Sequence, residues 1–391
     1  MHPVDDKHIS QLNQYDSHAK HHDYVDDLTR IDASDADQFL SVGVDTHETV
    51  RSGSFIQMDQ SVIHCKTCQP GVEVMGISQA VNQHDWLKNY IWKNIAPDKD
   101  EFTLRVMEMP HEGYFIRSLP GAKVSQPVQA CLYIAKENFS QHVHNIVIAE
   151  ENSELHIITG CATAPHLVSG LHVGVSEFYV KKGAKLIFTM IHDWGEQVNV
   201  RPRTVTRVAE GGVIISNYIS LKPVGSLQMY PTTYLEGKGA VGRYNSILVA
   251  AAGTHMDVGS RIILEAPETR AEIISRAITT GGTIIARGDL VGKAPGIKAH
   301  LECKGLILND GLMQAIPELS GYVPGVEMSH EAAVGKIDKR EIEYLMARGL
   351  DEEAAVSTIV RGFLNVDIEG LPPSLKQRLE QTIAETQKDM M

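Results

Sequence analysis

Residues 253–311, GTHMDVGSRIILEAPETRAEIISRAITTGGTIIARGDLVGKAPGIKAHLECKGLILNDG, decide the fold, because turn signals recur along them at a nearly constant interval. The turns lie at Ala252-Gly253, Pro267-Glu268, Gly281-Gly282, Pro295-Gly296 and Asp310-Gly311, with a spacing of about 14 or 15 residues. Each interval has room for one strand and a corner, and two intervals complete one coil of about 28 residues. The rhythm therefore predicts a coiled β architecture.

Upstream of this stretch, further turns are spaced by about 27 to 32 residues, which is close to one full coil. They lie at Glu150-Glu151-Asn152, Lys182-Gly183, Gly211-Gly212 and Gly237-Lys238-Gly239. The runs between turns, such as GVIISNYISL and EIISRAIT, are rich in Ile and Val, as strands stacked around a dry interior should be. An antiparallel sandwich would favour Asn-Gly or Asp-Gly hairpins, which are scarce here. We therefore predict a mainly β chain whose core is a flattened right-handed parallel β-helix with two sheets.

Helical regions are predicted on both sides of this core, which we place at residues 111–330. Residues 1–110 form a polar arm and a helical region, with amphipathic helices near Tyr24–Leu40 and Ser78–Ile95. Residues 331–391 form a C-terminal helical region, in which Asp338 and Glu341 give a capping-box pattern and Gly349 a stop signal. Pro372-Pro373 then opens the last helix. The polar arm carries several histidines, which suit either a solvated segment or one that collects metal: His2, His8, His18, His21 and His22.

Composition limits the classes of partner and the compartment. The 391 residues carry a formal net charge of −13, which argues against nucleic acid and anionic membranes because both require a basic face. The N-terminus has no signal-peptide pattern, and no window reaches the length of a membrane span. We therefore expect a cytoplasmic protein. Its five cysteines are too scattered for a disulfide framework and are expected to be free thiols.

The pair Cys65 and Cys68 forms a CxxC pattern in the N-terminal region. A structural zinc site usually needs a second ligand pair at similar spacing, and none lies nearby in the sequence. Three interpretations stay open for the pair. It could hold a metal with His47 or His84, act as a redox pair, or consist of two ordinary loop thiols.

Cys303 and the triplet Ser329-His330-Glu331 are candidate metal ligands at the far end of the β region. Strand alternation sends His300 and Glu302 to one face and Cys303 to the other. A thiolate, an imidazole and a carboxylate could thus converge on one metal. The alternative is that Cys303 is a core residue and that His330 and Glu331 open a helix.

Several separate motifs make the chain similar to a known family over roughly residues 110–370. They are HNIVIAEENSELHIITGCATAP, EFYVKKGAKLIFTMIHDW, SRIIL, EIISRAITTGG, CKGLIL and HEAAVGKI, in this order. Together they resemble the SufB/SufD family, scaffolds for iron–sulfur cluster assembly, and in particular SufB-type proteins of the short archaeal kind. The resemblance independently implies a β-helix.

The resemblance also implies roles for individual residues. Cys161, in the GCATAP corner, matches the point where sulfur enters, and His192 and Trp194 fall on the path toward the cluster site. Because a sulfur carrier needs an accessible thiolate, nearby imidazoles are candidate activators of Cys161: His156, His166 and His172. Cys303 matches a cluster-binding cysteine, and His330 and Glu331 match a His-Glu pair beside it.

Ser329 departs from the family pattern, since many relatives carry an acidic residue at this position. The remaining ligand set suits an iron–sulfur cluster that must later leave, because carboxylate and imidazole exchange more readily than thiolate.

Partners follow from what the sequence lacks. Val334-Gly335-Lys336-Ile337 is not a Walker A motif, so we expect a scaffold and not an enzyme, with ATP hydrolysis in a SufC-like ABC ATPase that docks on the helical tail. The resemblance implies a second copy or a SufD-like paralogue, a sulfur donor and recipient apoproteins. The competing interpretations are a β-helix interaction module and a carbohydrate-active β-helix protein, both without a cluster.

Overall fold

Two sheets of mostly parallel strands form the core. The computed structural model describes residues 12–47, 50–109, 112–124 and 126–364, together with residues 377 and 381. Along most of the core, successive strands alternate between the two sheets, so that two strands complete one coil. The predicted parallel β-helix is therefore confirmed.

The first sheet contains ten strands. In spatial order they are β2 (Ser61–Thr67), β1 (Gly53–Met58), β5 (Val128–Ile134), β7 (Glu154–Thr163), β9 (Lys185–Asp193), β12 (Val213–Ser220), β15 (Val241–Ala250), β17 (Arg270–Thr279), β19 (Lys298–Ile307) and β21 (Glu327–Gly335). All neighbours are parallel except β1 and β2, which form an antiparallel hairpin.

The second sheet contains eleven strands and faces the first across the interior. In chain order they are β3 (Val72–Gly76), β4 (Tyr114–Ser118), β6 (Phe139–Ala149), β8 (Ser169–Val180), β10 (Gln197–Val200), β11 (Arg203–Val208), β13 (Ser226–Met229), β14 (Thr232–Leu235), β16 (His255–Leu264), β18 (Thr283–Gly292) and β20 (Leu312–Gly321). Pro202 separates β10 from β11, and Pro231 separates β13 from β14, because proline cannot donate to the ladder.

The corners repeat as the sequence rhythm predicted. Each predicted turn contains or adjoins a residue with a left-handed backbone conformation, which lets the chain turn from one sheet into the other, whereas the corners at 164–168, 194–196 and 221–225 contain none. These residues, with φ between 57° and 142°, are Asn152, Gly183, Gly211, Gly239, Gly253, Glu268, Gly281, Gly296, Asn309 and Gly325. The sheets extend past the predicted core limits of 111 and 330, since β1 pairs with β5 and β21 runs to Gly335.

Alternation along the strands separates an inner from an outer face. In β19, Leu301 and Cys303 are fully buried, whereas His300 and Glu302 between them are partly exposed. The predicted separation of these side chains is confirmed. The parallel register repeats the inner positions from strand to strand, so inner residues stack in columns.

Short helices precede the coils: α1 (Ala33–Ser41), α2 (Ile77–Gln83) and α3 (Glu101–Glu108). The prediction of one helix over 78–95 is wrong, because α2 ends at Gln83, a separate 3₁₀-helix spans Asp85–Asn89, and the backbone beyond it donates to a different acceptor. The N–H groups of Trp92, Lys93 and Asn94 donate to the buried Glu177 carboxylate at 2.6, 2.8 and 2.5 Å. These tertiary hydrogen bonds replace those that a helix would make.

Two helices follow the last coil, α4 (Lys339–Met346) and α5 (Glu352–Leu364). Asp338 caps α4 by accepting a hydrogen bond from the Arg340 N–H at 2.9 Å, and Gly349 has φ 98° after its end. Helix α5 buries Val360 and Leu364 against the core. The predicted last helix at Pro372-Pro373 lies outside the described residues.

Candidate functional site

Cys161 and His192 lie side by side on the inner face of the first sheet. The parallel register of β7 and β9 pairs them directly, and both side chains are buried. The hydroxyl of Tyr218, on the next strand, lies 2.8 Å from His192 Nδ1. Thiol, imidazole and phenol thus form one cluster inside the coil.

Trp194 extends this cluster across the interior to the second sheet. Its ring centroid lies 5.4 Å from that of His192 and 5.1 Å from that of His172. His172 Nδ1 in turn lies 2.9 Å from Gln141 Oε1. Among the described residues, the buried Trp194 Nε1 has no hydrogen-bond partner, so one donor is free. The predicted path residues Cys161, His192 and Trp194 therefore occur together.

Burial sets the charge state of this cluster. It lowers the pKa of His172 to about 3 and that of His192 well below its ordinary value, and it raises the pKa of the Cys161 thiol. At neutral pH both imidazoles are uncharged and the thiol is protonated. The expected accessible thiolate is therefore absent. Of the three candidate imidazoles, His156 lies on the outer face of β7, His166 is exposed, and His172 reaches the cluster only through Trp194.

Cys303 lies fully buried on the same inner face, near the far end of the sheet. It pairs in register with Ser275 on β17 and with Ala332 on β21. Burial, and next the Glu302 carboxylate, raise the pKa of this thiol to about 11, while Arg276 opposes them.

His330 and Glu331 lie within β21, so the alternative that they open a helix is wrong. Glu331 pairs with Glu302, which points outward, and the Lys304 Nζ lies 3.1 Å from the Glu331 carboxylate. His330 pairs with the buried Leu301 and therefore shares the inner face with Cys303.

The structure thus brings Cys303 and His330 to one face and Glu331 to the other. No group of three His, Cys, Asp or Glu with metal-binding geometry occurs within the part of the chain that the structure describes. Convergence of all three ligands on one ion is therefore not present in a single chain.

A column of inner side chains leads from Cys303 back to Met190 and Thr159, and Cys161 lies in the neighbouring column, where it pairs with His192. Met190, Tyr218, Ser246, Ser275 and Cys303 are paired in register on consecutive strands. A small cavity of about 40 Å³ lies beside this column, between the sheets. Five strand steps of about 4.8 Å separate β7 from β19, so the cysteines are roughly 24 Å apart.

The interior is not purely apolar along this column. Sequence reasoning missed Tyr218, Ser246 and Ser275 as lining residues. The signal was present in the strands themselves, since each carries a hydroxyl at an inner position of an otherwise apolar run.

The CxxC pair does not form a metal site with either predicted histidine. The half-buried Cys65 thiol donates to the Val74 carbonyl at 3.4 Å, and burial raises its pKa to about 11, whereas Cys68 is exposed. Within the described residues, which include both of these histidines, no group of three His, Cys, Asp or Glu could hold a metal ion. Of the histidine-rich arm, His2 and His8 lie outside the described residues, and His22 contacts Asp59 at 2.9 Å.

The C-terminal helices differ in how they are covered. Helix α5 packs on the core and buries part of its apolar face there. Helix α4 buries none of its residues, and apolar side chains on it and just after it are exposed: Tyr344, Met346 and Leu350. No helix in the described ranges is both long and apolar enough to cross a membrane.

Fold and site together define a parallel β-helix protein with two inward-facing thiols joined by a partly polar interior. Comparison with known proteins identifies the family. The profile described as SUF system FeS cluster assembly, SufBD core domain, matches residues 132–363. The chain belongs to the SufBD family of iron–sulfur cluster assembly proteins.

Individual relatives support this assignment. A SufBD family protein of Archaeoglobus fulgidus is 52% identical over 91% of this chain and 96% of its own length. A SufBD family protein of Methanothermobacter thermautotrophicus is 49% identical over 95% of this chain and 92% of its own. The SufB protein of Bacillus subtilis is 31% identical over 77% of this chain and 66% of its own.

Proposed function

We propose that this protein is a cytoplasmic scaffold that receives sulfur at Cys161 and iron near Cys303, and that an iron–sulfur cluster is built at the second site as its cargo. The observation that carries the proposal is the column of inner side chains that leads from Cys303 to Tyr218, whose hydroxyl lies 2.8 Å from the His192 that pairs with Cys161. A coil built only for stability would fill these positions with apolar side chains, since unpaired polar groups in a core are costly.

At the sulfur end, the Cys161 pocket suits a bound sulfur group. The neutral His192 imidazole can accept or donate a proton beside the thiol, and the free Trp194 N–H can donate to a sulfur atom held there. Because Cys161 is buried, a sulfur donor protein has to open the adjacent corner at residues 164–168 to reach it.

At the cluster end, the site is completed by a second subunit. The strands β20 and β21 end their sheets, so each leaves one edge without a neighbour in the described structure. Apolar side chains of the last coil are exposed beside these edges: Leu312, Tyr322 and Val334. A second copy or a SufD-like paralogue would cover this end and add ligands to Cys303 and His330. Glu331 joins them if pairing breaks its contact with Lys304.

ATP would act through the helical tail. The sequence carries no Walker A motif, and the exposed apolar residues at α4 offer a surface for a SufC-like ABC ATPase. Two ATPase subunits that close on ATP would pull two tails together and strain the junction beside Cys303. Driving that junction from 1:99 to 99:1 requires about 5.5 kcal/mol of differential binding.

Anaerobic co-expression with the ATPase tests the proposal. We expect the purified complex to contain iron and acid-labile sulfide, and Cys303→Ala to lose both. Cys65→Ala is the control, because burial raises the pKa of this thiol to about 11 as well, but it lies on β2, far from the column. A wild-type complex without iron and sulfide would instead favour an interaction module. Equal iron and sulfide in the Cys303 variant would place the cluster elsewhere. Cluster transfer to apoproteins is measured on the same samples.

A further inference from the structure

The corner at residues 164–168 connects β7 to β8 and lies close to Cys161 along the chain; we call this corner the lid. Its middle residue His166 and its last residue Val168 are exposed, whereas Leu167 between them is buried and belongs to the same core cluster as Cys161. Leu167 therefore points into the coil. The lid separates the pocket of the Cys161 thiol from solvent on this side of the coil.

Hydrogen bonds hold the lid at both of its ends. At the first end, the Ala164 N–H donates to the Ile134 carbonyl of the neighbouring coil at 2.9 Å. At the far end, the N–H groups of Val168 and Ser169 donate to the Glu137 carboxylate at 3.0 and 2.8 Å, and the Ser169 hydroxyl donates to the same carboxylate at 2.5 Å. One side chain thus accepts three hydrogen bonds where the lid joins β8.

Glu137 stands on a fixed base. It belongs to the neighbouring corner, residues 135–138, in which the N–H groups of Ala135 and Lys136 donate to the Asp59 carboxylate at 2.8 and 3.1 Å. Asp59 is only 1% exposed, so water does not compete for these bonds. The two adjacent corners are therefore both held by carboxylates, but the first by a buried one.

The carboxylate that holds the lid is by contrast exposed. Partial burial raises the pKa of Glu137, but the hydrogen bonds from Ser169 and Val168 outweigh it and lower the pKa overall. The group is thus ionised at neutral pH and accepts charge-assisted bonds. Because water competes for an exposed carboxylate, these bonds can break without unfolding the coil. The far end of the lid is therefore the end that can open.

We propose that Glu137 is the latch of the lid: its contacts with Val168 and Ser169 keep Cys161 closed, and their release opens this thiol to reagents. Glu137 is a positioning residue, since it acts on Cys161 only through the lid. A closed lid protects the thiol from oxidants between deliveries of sulfur. That use of the latch rests on the proposed scaffold function, whereas the latch itself is a property of the fold.

Alkylation of the full chain by N-ethylmaleimide tests the latch, with mass spectrometry of the labelled peptides. Glu137→Ala should accelerate labelling of Cys161 about tenfold, because the open lid becomes more populated. Cys131 is the internal reference: it is buried, pairs with Gly160 and lies on the opposite face of the same sheet, so its rate should not change. An unchanged Cys161 rate, or an equal acceleration of both thiols, would overturn the proposal.

Glu210→Ala is the matched control variant. Glu210 is also an exposed corner glutamate, but it lies between β11 and β12, on the opposite side of the coil, and its carboxylate pairs with the Lys182 side chain at 3.1 Å. Labelling of Cys161 should stay within about twofold of wild type in this variant, since an exposed ion pair contributes little to stability. Acceleration as large as that of Glu137→Ala would show that the effect is not specific to the lid.

A double variant tests whether Glu137 acts through the observed contact. Ser169→Ala removes the hydroxyl that donates to Glu137 and should accelerate labelling of Cys161 about threefold. If both residues belong to one latch, Glu137→Ala/Ser169→Ala should label no faster than Glu137→Ala alone. Accelerations that multiply would overturn the latch.

Hydrogen exchange and thermal unfolding complete the test. In Glu137→Ala, the peptide that contains Val168 and Ser169 should exchange faster, while the midpoint of thermal unfolding stays the same. Slower or unchanged exchange there would contradict an open lid. Because labelling needs neither iron nor sulfide, a latch that behaves as expected in a protein that never assembles a cluster would sink the scaffold function alone.

Discussion

The two inward-facing cysteines occupy opposite ends of one interior, and their surroundings differ. Cys161 lies on β7, which has β5 on one side and β9 on the other. Val42, which directly follows α1, covers the outer face of β7, and a Cβ added to Gly160 would lie 2.3 Å from Val42 Cγ2. Cys303 has only β21 between it and the end of its sheet. Cys161 is thus covered by neighbouring strands and by the segment after α1, whereas Cys303 lies one strand from the edge of its sheet. The contrast suits a protected carrier and an assembly site.

The largest effect is expected at the edge. Cys303→Ala should abolish cluster reconstitution by either sulfur source, because the thiolate supplies most of the iron affinity. Visible absorption and iron and sulfide analysis measure the loss, with thermal unfolding to check the fold. If Cys303→Ala kept the wild-type absorption and the wild-type iron and sulfide content, the proposed difference between the Cys161 end and the Cys303 end would be refuted.

Cys161→Ser should separate the ends further. Persulfide-dependent assembly is expected to stop, whereas reconstitution with free sulfide and iron should stay within about twofold of wild type, because the cargo rests at Cys303. Both assays use the same anaerobic preparation. Loss of both activities to the same degree would move Cys161 into the cluster site or into a purely structural role.

Alkylation compares the two thiols directly. With a pKa raised to about 11, Cys303 is protonated at neutral pH, so its alkylation rate should keep rising beyond pH 9, where an ordinary thiol levels off. In the ATPase complex, a non-hydrolysable ATP analogue should accelerate labelling of Cys303 several-fold and leave Cys161 unchanged. Mass spectrometry of the labelled peptides gives both rates. If the labelling rate of Cys303 did not change with nucleotide, in a complex shown to bind nucleotide, the proposed coupling between ATP binding and the Cys303 site would be refuted.

Glu331→Ala should have a smaller effect, since a carboxylate is an exchangeable ligand. We expect a cluster that forms but is lost several times faster to a chelator. Lys304→Met is the companion variant: it frees Glu331 from its 3.1 Å ion pair and should slow the loss. A Glu331 variant with the wild-type loss rate would show that Glu331 is no ligand and serves only the outer ion pairs.

Two glycines test the packing difference with the smallest expected change. Gly160→Ala should lower the free energy of unfolding by about 1–3 kcal/mol, because the new Cβ collides with Val42, which directly follows α1. Gly335→Ala, at the end of β21, meets no atom within 4 Å and should change stability by less than about 0.5 kcal/mol. Denaturant titration compares them. Equal destabilisation would mean that the Cys161 end is no more tightly covered.

Much of the architecture was predictable from local signals. A corner residue such as Gly253 or Gly296 has to adopt a left-handed conformation, and the Ile- and Val-rich runs between corners favour strands. Alternation along β19 is enough to predict Cys303 inside and Glu302 outside. The imidazole that pairs with Cys161 is that of His192 and not of the three predicted candidates His156, His166 and His172.

The sequence by itself therefore determined the repeat and the strand faces, because turn preference and alternation act between near neighbours. Only the tertiary structure decided the rest. The helix predicted over 78–95 does not continue to Ile95, because the carboxylate of Glu177, 85 residues from Trp92, accepts a hydrogen bond from the Trp92 N–H. The register between β19 and β21 put Glu331 outside and left His330 beside Cys303. These outcomes depend on contacts between distant residues, which no local pattern encodes.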